Sequence, residues 1–235
     1  MGQKKLLRFE AIKSFPNVLQ YPEGMAGNWK SFFHNDHPIT VELACGKGEY
    51  TVALARMYPE RNFIGIDLKG NRLYIGAKTC LEQSISNAAF VRSQIDKLGN
   101  YFSREEVSEI WITFPDPQLR KSKLRKRLTH PRFLRLYQHC LVPQGMIHLK
   151  TDSPDLYDFT KQVIQLYDLV LHEETADLYA SQEIVPELKI KTHYEGLNIS
   201  QSNKIYYLRF SLPMSPLPDK DEQLHDLVKG YENIG

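Results

Sequence analysis

Residues 39–67 read I-T-V-E-L-A-C-G-K-G-E-Y-T-V-A-L-A-R-M-Y-P-E-R-N-F-I-G-I-D, and the punctuation of this stretch decides the fold. Ile39–Ala44 is a short apolar, β-branched run of the kind that makes a buried strand. Cys45-Gly46-Lys47-Gly48 turns it into a helical stretch reaching Met57, and Asn62–Asp67 is a second strand. Glycines at such a turn let backbone come close to a ligand, and the helix start offers unpaired N–H groups. Outward from this unit the rhythm continues. A helix is expected from about Gly70 to Ser86, then strands at Ala88–Arg92, Glu109–Phe114 and Gly145–Lys150. Thr129 is placed to cap a helix running from His130-Pro131 to Cys140, and another helix spans Pro154–Tyr167. Strands near Leu169–Glu173 and Lys204–Leu212 bring the total to seven. Alternation of this kind predicts an α/β fold: a mostly parallel seven-stranded sheet, right-handed crossovers, and helices on both faces.

The flanks are less regular. Residues 1–37 mix basic and aromatic side chains, with a short helix expected near Met25–Phe33, and read as an N-terminal extension packing on a main domain at 38–212. Ala176–Asn203 is expected to be irregular, and 213–235 to form a polar C-terminal tail behind a proline-rich linker.

Composition narrows the class. Hydrophobic content of 42% and aromatic content of 11% suffice for a large core. Net charge is +2, yet six of the eight residues Arg120–Arg127 are cationic, so the rest of the chain is net negative. A basic patch this local reads as a docking site for phosphates; the bland alternative is a solvated face. Cys45, Cys80 and Cys140 lie far apart without C-x-x-C spacing, which argues for free thiols in a reducing compartment and against a disulfide frame or zinc site. No apolar run approaches the ~18 residues of a membrane span, and no signal-peptide core follows Met1. A soluble cytoplasmic protein, monomer or homodimer, with no metal and no membrane partner is therefore expected.

Four acids mark strand ends: Glu42, Asp67, Asp116 and Asp152. In open α/β sheets ligands bind beyond those ends, so the four converge on one crevice. The dinucleotide fingerprint G-x-G-x-x-G is broken by Ala44 and Glu49. An acid followed by G-x-G suits S-adenosylmethionine better, because the Glu42 carboxylate can face an ammonium, whereas a pyrophosphate would be repelled. Asp67 stands where doubly wound nucleotide binders keep an acid for ribose hydroxyls, although a helix cap would use the same residue. Gln94 is placed to hold an adenine edge, with Asp96 as its competitor. Ile110–Phe114 is a buried strand stopped by Pro115 and Pro117, which bracket Asp116 and precede a flexible basic arm. The histidines have no ligand-like spacing, and a Ser-His-Asp site lacks its nucleophile elbow.

F-P-D-P followed by the basic arm, together with E-L-A-C-G-K-G, G-I-D, H-L-K-T-D and T-H-Y-E, resembles the tRNA (guanine-N7)-methyltransferase family over roughly Val41 to Phe210. The resemblance implies a Rossmann-like class I methyltransferase carrying a methyl group from S-adenosyl-L-methionine to N7 of a guanine in the variable loop of tRNA. By position it implies that Glu42, Gly46, Asp67, Gln94 and Asp116 line the cofactor site, with Asp116 also catalytic. Arg120, Asp152, Thr192, His193, Tyr194 and Glu195 would meet the substrate. Lys121, Ser122, Lys123, Leu124, Arg125, Lys126 and Arg127 would contact RNA. The chain departs from the family pattern at Ala44 (usually Gly), Asp67 (usually Glu), Gln94 (usually Asp), Gln118 (usually Trp) and Arg120 (usually Lys). On residues alone, two readings compete with this one: a methyltransferase acting on a protein or small molecule, and a non-catalytic RNA-binding module with a decayed cofactor pocket.

Overall fold

Strands buried on both faces need helices over each face, and this chain supplies them in alternation. The computed structural model describes residues 2–180, 183–197 and 199–231. Its strands are β1 (Val18–Gln20), β2 (Ile39–Leu43), β3 (Asn62–Asp67), β4 (Ala88–Arg92), β5 (Val107–Thr113), β6 (Leu141–Thr151), β7 (Val170–Thr175) and β8 (Tyr206–Ser211). They form one sheet in the order β1-β4-β3-β2-β5-β6-β8-β7. The strands β1 to β6 pair in parallel, and β8 is antiparallel to both β6 and β7. The sheet has one strand more than the seven expected. The extra strand, β1, comes from the N-terminal segment and sets Val18–Gln20 against Phe90–Arg92; three residues are too few to show a period of two.

The helices are α1 (Gly2–Ala11), α2 (Trp29–Phe33), α3 (Glu49–Met57), α4 (Gly70–Glu82), α5 (Pro131–Cys140), α6 (Pro154–Leu166) and α7 (Asp221–Tyr231). The cap of α5 differs from the sequence expectation. His130, not Thr129, holds the capping position, its Nδ1 accepting from Arg132 N at 3.1 Å, while Thr129 is fully buried with its hydroxyl 2.8 Å from that of Thr160.

One face of the sheet is apolar throughout: Val41, Leu43, Ile64, Ile66, Ile110, Ile112, Ile147 and Leu149 pack against Trp29, Phe133, Tyr137, Phe159 and Val163. The other face carries Phe63, Phe90, Trp111 and Tyr207 under Tyr50, Leu54 and Leu73. It also carries buried polar groups, Glu42, Thr113, His148 and Lys150. Pairing of Glu42 with Trp111 and of Trp111 with His148 lines part of this set up across three strands. The close approach of α3 to this face fixes one residue type: at Gly48 (φ +74°) a Cβ would sit 2.5 Å from the Phe90 ring.

The described part of the C-terminal segment is structured as well. The segment read as a polar tail contains α7, where Leu224 is fully buried and Asp221 accepts from Arg135 (2.8 Å) and from the Tyr167 hydroxyl (2.7 Å). Residues 232–235 of that tail lie outside the described residues.

Candidate active site

Strand order reverses between β2 and β5, so the crevice beyond their carboxyl ends is where such a sheet can hold a ligand. On the β2 side the chain turns through Ala44 (φ +55°) and Gly46 (φ +58°). Asp67, at the end of β3, fastens this turn: Oδ2 accepts from Gly46 N at 2.9 Å and Oδ1 from Lys69 N at 2.7 Å. Positive φ at Ala44 is a conformation that suits glycine, since a Cβ is strained there.

Glu42 is not in the crevice. It is 3% exposed, below the floor, with Oε2 accepting from Thr51 N (2.8 Å) and Thr51 Oγ1 (2.6 Å) and Oε1 accepting from Thr113 Oγ1 (2.8 Å). Burial raises its carboxyl to about 7, against the lowering effect of those donated bonds. Its carboxylate therefore ties α3 to the end of β5 instead of facing the cavity.

On the β5 side, Phe114 (φ +47°) and Gln118 (φ +49°) flank Pro115-Asp116-Pro117. Asp116 is exposed, and its Oδ1 accepts from Gln118 N at 3.0 Å. Arg127 holds this loop from behind. It is 6% exposed, its Nε donates to Pro117 O at 3.1 Å, and its guanidinium lies 4.6 Å from the Phe159 ring centroid. The segment expected to be a flexible arm is a 3-10 helix, Lys121–Lys126, seated by Leu124, which is 5% exposed. Leu124 and Arg127 thus face the protein, whereas Arg120, Lys121, Ser122, Arg125 and Lys126 are exposed and Lys123 is half-buried.

At the end of β6, Asp152 receives the segment that follows β7. Its Oδ2 accepts from Ser200 N at 3.2 Å, and its carbonyl accepts from the hydroxyls of Ser200 (2.6 Å) and Ser202 (2.8 Å). This same segment lays Tyr194 over the β2 turn, so that a Cβ at Gly46 would come within 3.3 Å of its ring. The Arg72 guanidinium lies 5.3 Å from the Tyr194 centroid. Thr192 is buried and turned inward, its hydroxyl accepting from Glu195 N at 3.2 Å, and His193 N donates to Glu49 Oε1 at 3.2 Å.

These parts enclose a cavity of about 630 Å³ with Asp67, Asp116, Asp152, Tyr194, Arg72 and Phe114 in its wall. A second hollow of about 430 Å³ shares Ala44 and Asp67 with the first and carries Gln94, Asp96, Lys126 and Arg132. Together they make a trough from Gln94 to Asp152, and the larger part falls within the size range of small-molecule sites, about 300–1,000 Å³. Asp96 is engaged by Arg132 in an ion pair, which leaves the exposed Gln94 as the amide on that wall.

The structure therefore brings Asp67, Asp116, Asp152 and Tyr194 to one cavity and Gln94 to its extension. It keeps the side chains of Glu42, Glu195 and Arg127 apart, each turned into the protein. Arg120 stands outside, next to Leu119, which is on the cavity wall. Lys69, Arg72 and Asp155 line the cavity without having been singled out from the sequence. The nearest signal for Arg72 was its place in the first turn of the helix after Asp67, a position that faces the strand-end crevice.

Among the described residues no group of three or more His, Cys, Asp or Glu could hold a metal ion, and no helix is long and apolar enough to cross a membrane. Cys45, Cys80 and Cys140 are buried free thiols.

Comparison with known proteins places the chain. A family model described as a putative methyltransferase matches residues 36–208. A tRNA (guanine-N(7)-)-methyltransferase of Porphyromonas gingivalis is 48% identical over 213 residues, 86% of each chain. One of Bacteroides thetaiotaomicron is 42% identical, covering 98% of this chain and 95% of its own. In three dimensions the fold is similar to that of the 16S rRNA methyltransferase KamB, at a TM-score of 0.61 and 15% identity over 84% of this chain and 99% of that one. On sequence identity of this extent, the chain belongs to the tRNA (guanine-N(7)-)-methyltransferase family.

Proposed function

We propose that this protein transfers a methyl group from S-adenosylmethionine to N7 of a guanine in tRNA, within the variable loop as the family resemblance implies. The observation that carries the reading is the meeting of the strand-end carboxylates Asp67, Asp116 and Asp152 in one trough at the switch point of the sheet, beside a helix of exposed cations. The trough fits the cofactor. Its volume is that of a small-molecule site, its acids suit a cation, and the Gly46 amide is taken by Asp67 and so is not offered to a phosphate.

Bound there, S-adenosylmethionine would supply an electrophilic methyl group on a sulfonium. Asp67, already oriented by two backbone amides, would accept bonds from ribose hydroxyls, and Gln94 would meet the adenine edge. Guanine N7 has a lone pair and no proton, so the protein need not supply a strong base. It must hold the acceptor in line, an entropic contribution that can reach about 7–11 kcal/mol. Asp116 and Asp152 can accept from the guanine N1 and N2 groups, which selects guanine over adenine. The same carboxylates face the positive charge that grows on the ring as the methyl arrives. Arg120, Lys121, Arg125 and Lys126 would hold the phosphates of the RNA. Such contacts set affinity and register while the base contacts set identity.

The test is methyl transfer from labelled cofactor to bulk tRNA, to protein extract and to free nucleosides, followed by nucleoside analysis of the tRNA. Label in 7-methylguanosine of tRNA is expected. Label in protein or nucleosides alone, or none in tRNA, would overturn the reading.

A further inference from the structure

The H-L-K-T-D stretch places a lysine inside β6, where a cation is costly unless every proton finds an acceptor. Lys150 is fully buried. Its Nζ donates to Leu188 O (2.9 Å), Ile190 O (2.9 Å) and Glu195 Oε2 (3.0 Å), using all three of its protons. It lies 5.4 Å from the ring centroid of Tyr50 and 5.6 Å from that of Phe114. Glu195, its side chain 6% exposed, gives its other oxygen to the Tyr179 hydroxyl. The Lys150 carbonyl accepts from Phe114 N at 2.8 Å, at the point where the chain turns into Pro115-Asp116-Pro117. Two residues further on, Asp152 is in the cavity wall.

Lys150 thus ties the 186–197 segment, through its side chain, to the start of the Pro115-Asp116-Pro117 turn, which its carbonyl holds through Phe114 N. We propose that Lys150, with Glu195 as its counter-ion, is a positioning residue for methyl transfer: it locks the 186–197 strap so that Tyr194 stays over the Gly46 turn, in the cavity wall it shares with Asp116. The proposal rests on the methyltransferase reading above and deepens it. Lifting the strap would strand an ammonium in a dry, aromatic site, so the strap has one favoured position and not a range. Glu195 then serves the reaction from inside the protein, through Lys150 and Tyr179, and not by touching the guanine. A buried ion pair is weak evidence for stability, since apolar replacements are often as stable; here its geometric consequence is the register of a loop without long regular structure.

The experiment compares the parent with Lys150→Met, which keeps the stem and removes the charge, and with Glu195→Gln, a milder change that leaves the two carbonyl bonds intact. Amide exchange is followed across the chain, and single-turnover methylation and tRNA affinity are measured on the folded fraction. Exchange in 186–197 should quicken about tenfold or more while β2 and β3 stay parental, the signature of local opening. Single-turnover rate should fall about 10- to 100-fold in Lys150→Met and less in Glu195→Gln, the scale of loss when reacting groups are misplaced by about an ångström. The tRNA Kd should stay within about twofold, because phosphate contacts dominate it. Parental exchange in the strap of both variants, or parental rates per folded molecule, would overturn the proposal and leave Lys150 a core residue. Should Lys150→Met fail to fold, Glu195→Gln decides by the same readings. Failure of the parent to methylate tRNA would refute the functional reading, and the exchange measurement would still judge the anchoring.

Discussion

Glu42, the last residue but one of β2, and Asp116, just beyond β5, mark the ends of adjacent parallel strands, but the protein treats them in opposite ways. Three donated hydrogen bonds consume the Glu42 carboxylate, which water does not reach. Asp116 is exposed, has one backbone donor on one oxygen, and sits between two non-glycine residues at positive φ. Strain of that kind costs on the order of 1–3 kcal/mol and persists where the surroundings over-determine it; here Arg127, buried and bonded to Pro117 O, is the clamp. The two acids divide the site into a sealed half that fixes geometry and an open half with carboxylate capacity left for a ligand.

The largest effect expected from this division is at Asp116. Asp116→Asn is nearly isosteric and should leave the fold intact, but an amide would point donors at the guanine donors and at a developing cation. Single-turnover methylation should fall about 10²–10³-fold, the range for loss of one preorganised electrostatic partner. A near-parental rate would make Asp116 a turn residue and dissolve the contrast.

Next in size is Glu42, whose removal should act on stability. Glu42→Ala strips Thr51 and Thr113 of their acceptor and should cost about 1–3 kcal/mol in denaturant unfolding. Glu42 also has a pH signature. Its folded value of about 7 lies above the ordinary 4.5, so the folded state holds the proton more tightly. The Glu42 contribution therefore makes stability fall as pH rises from about 4.5 to 7. Glu109 works in a lower window: burial would raise its carboxyl, but His148 and Arg61 hold it at about 2. Its contribution is present above 4.5 and is lost as pH falls towards 2. Glu42→Gln should remove the slope in the upper window and leave the lower one; a parental slope between pH 4.5 and 7 would refute the assignment.

The basic segment sharpens the same contrast within two neighbouring residues. Lys126→Ala should weaken tRNA binding several-fold and reduce the salt slope by about 0.9, as expected for one lost phosphate contact. Arg127→Ala should lower thermal stability while the salt slope stays parental. If the two variants exchanged these behaviours, the inward and outward sides of the segment would be misassigned. Smallest of all is Ala44→Gly, which relieves a left-handed alanine and should raise stability by up to about 1 kcal/mol in a melt; destabilisation would show that the alanine methyl contributes packing that outweighs the strain.

Much of the fold was legible because the central strands are unbroken apolar runs bounded by turn residues. The expected limits of Asn62–Asp67 and Ala88–Arg92 coincide with those of β3 and β4. Helix α7 was not legible: D-E-Q-L-H-D-L-V-K-G-Y is polar, and it is held by Leu224 and by Asp221 reaching Arg135 and Tyr167, partners more than fifty residues away. For the site, strand ends were readable but side-chain direction was not. Glu42 and Asp67 look alike in sequence, and whether Thr51 and Thr113 capture the first depends on the packing of α3. The charge run hid its anchors: Leu124 seats the 3-10 helix, and Arg127, at the C-terminal cap of that helix, turns inward. Lys150 lay in a recognised motif, but its role depends on where a loop forty residues later crosses it.

The insertion of β8 between β6 and β7 has a consequence for synthesis. A chain emerging in order can pair β3, β4, β5 and β6 as they appear, since each finds a neighbour already made. The β7 strand finds none; its sole partner is β8, which is completed at Ser211. Until then the outer edge of β6 stays open and the strap between β7 and β8 is fastened at neither end. The strap that Lys150 is proposed to hold is therefore seated after the crevice itself. Long-range closures of this kind are slow and leave an unpaired edge exposed while they wait, so the interval between residues 151 and 211 is the one in which a nascent chain has most need of protection from its neighbours.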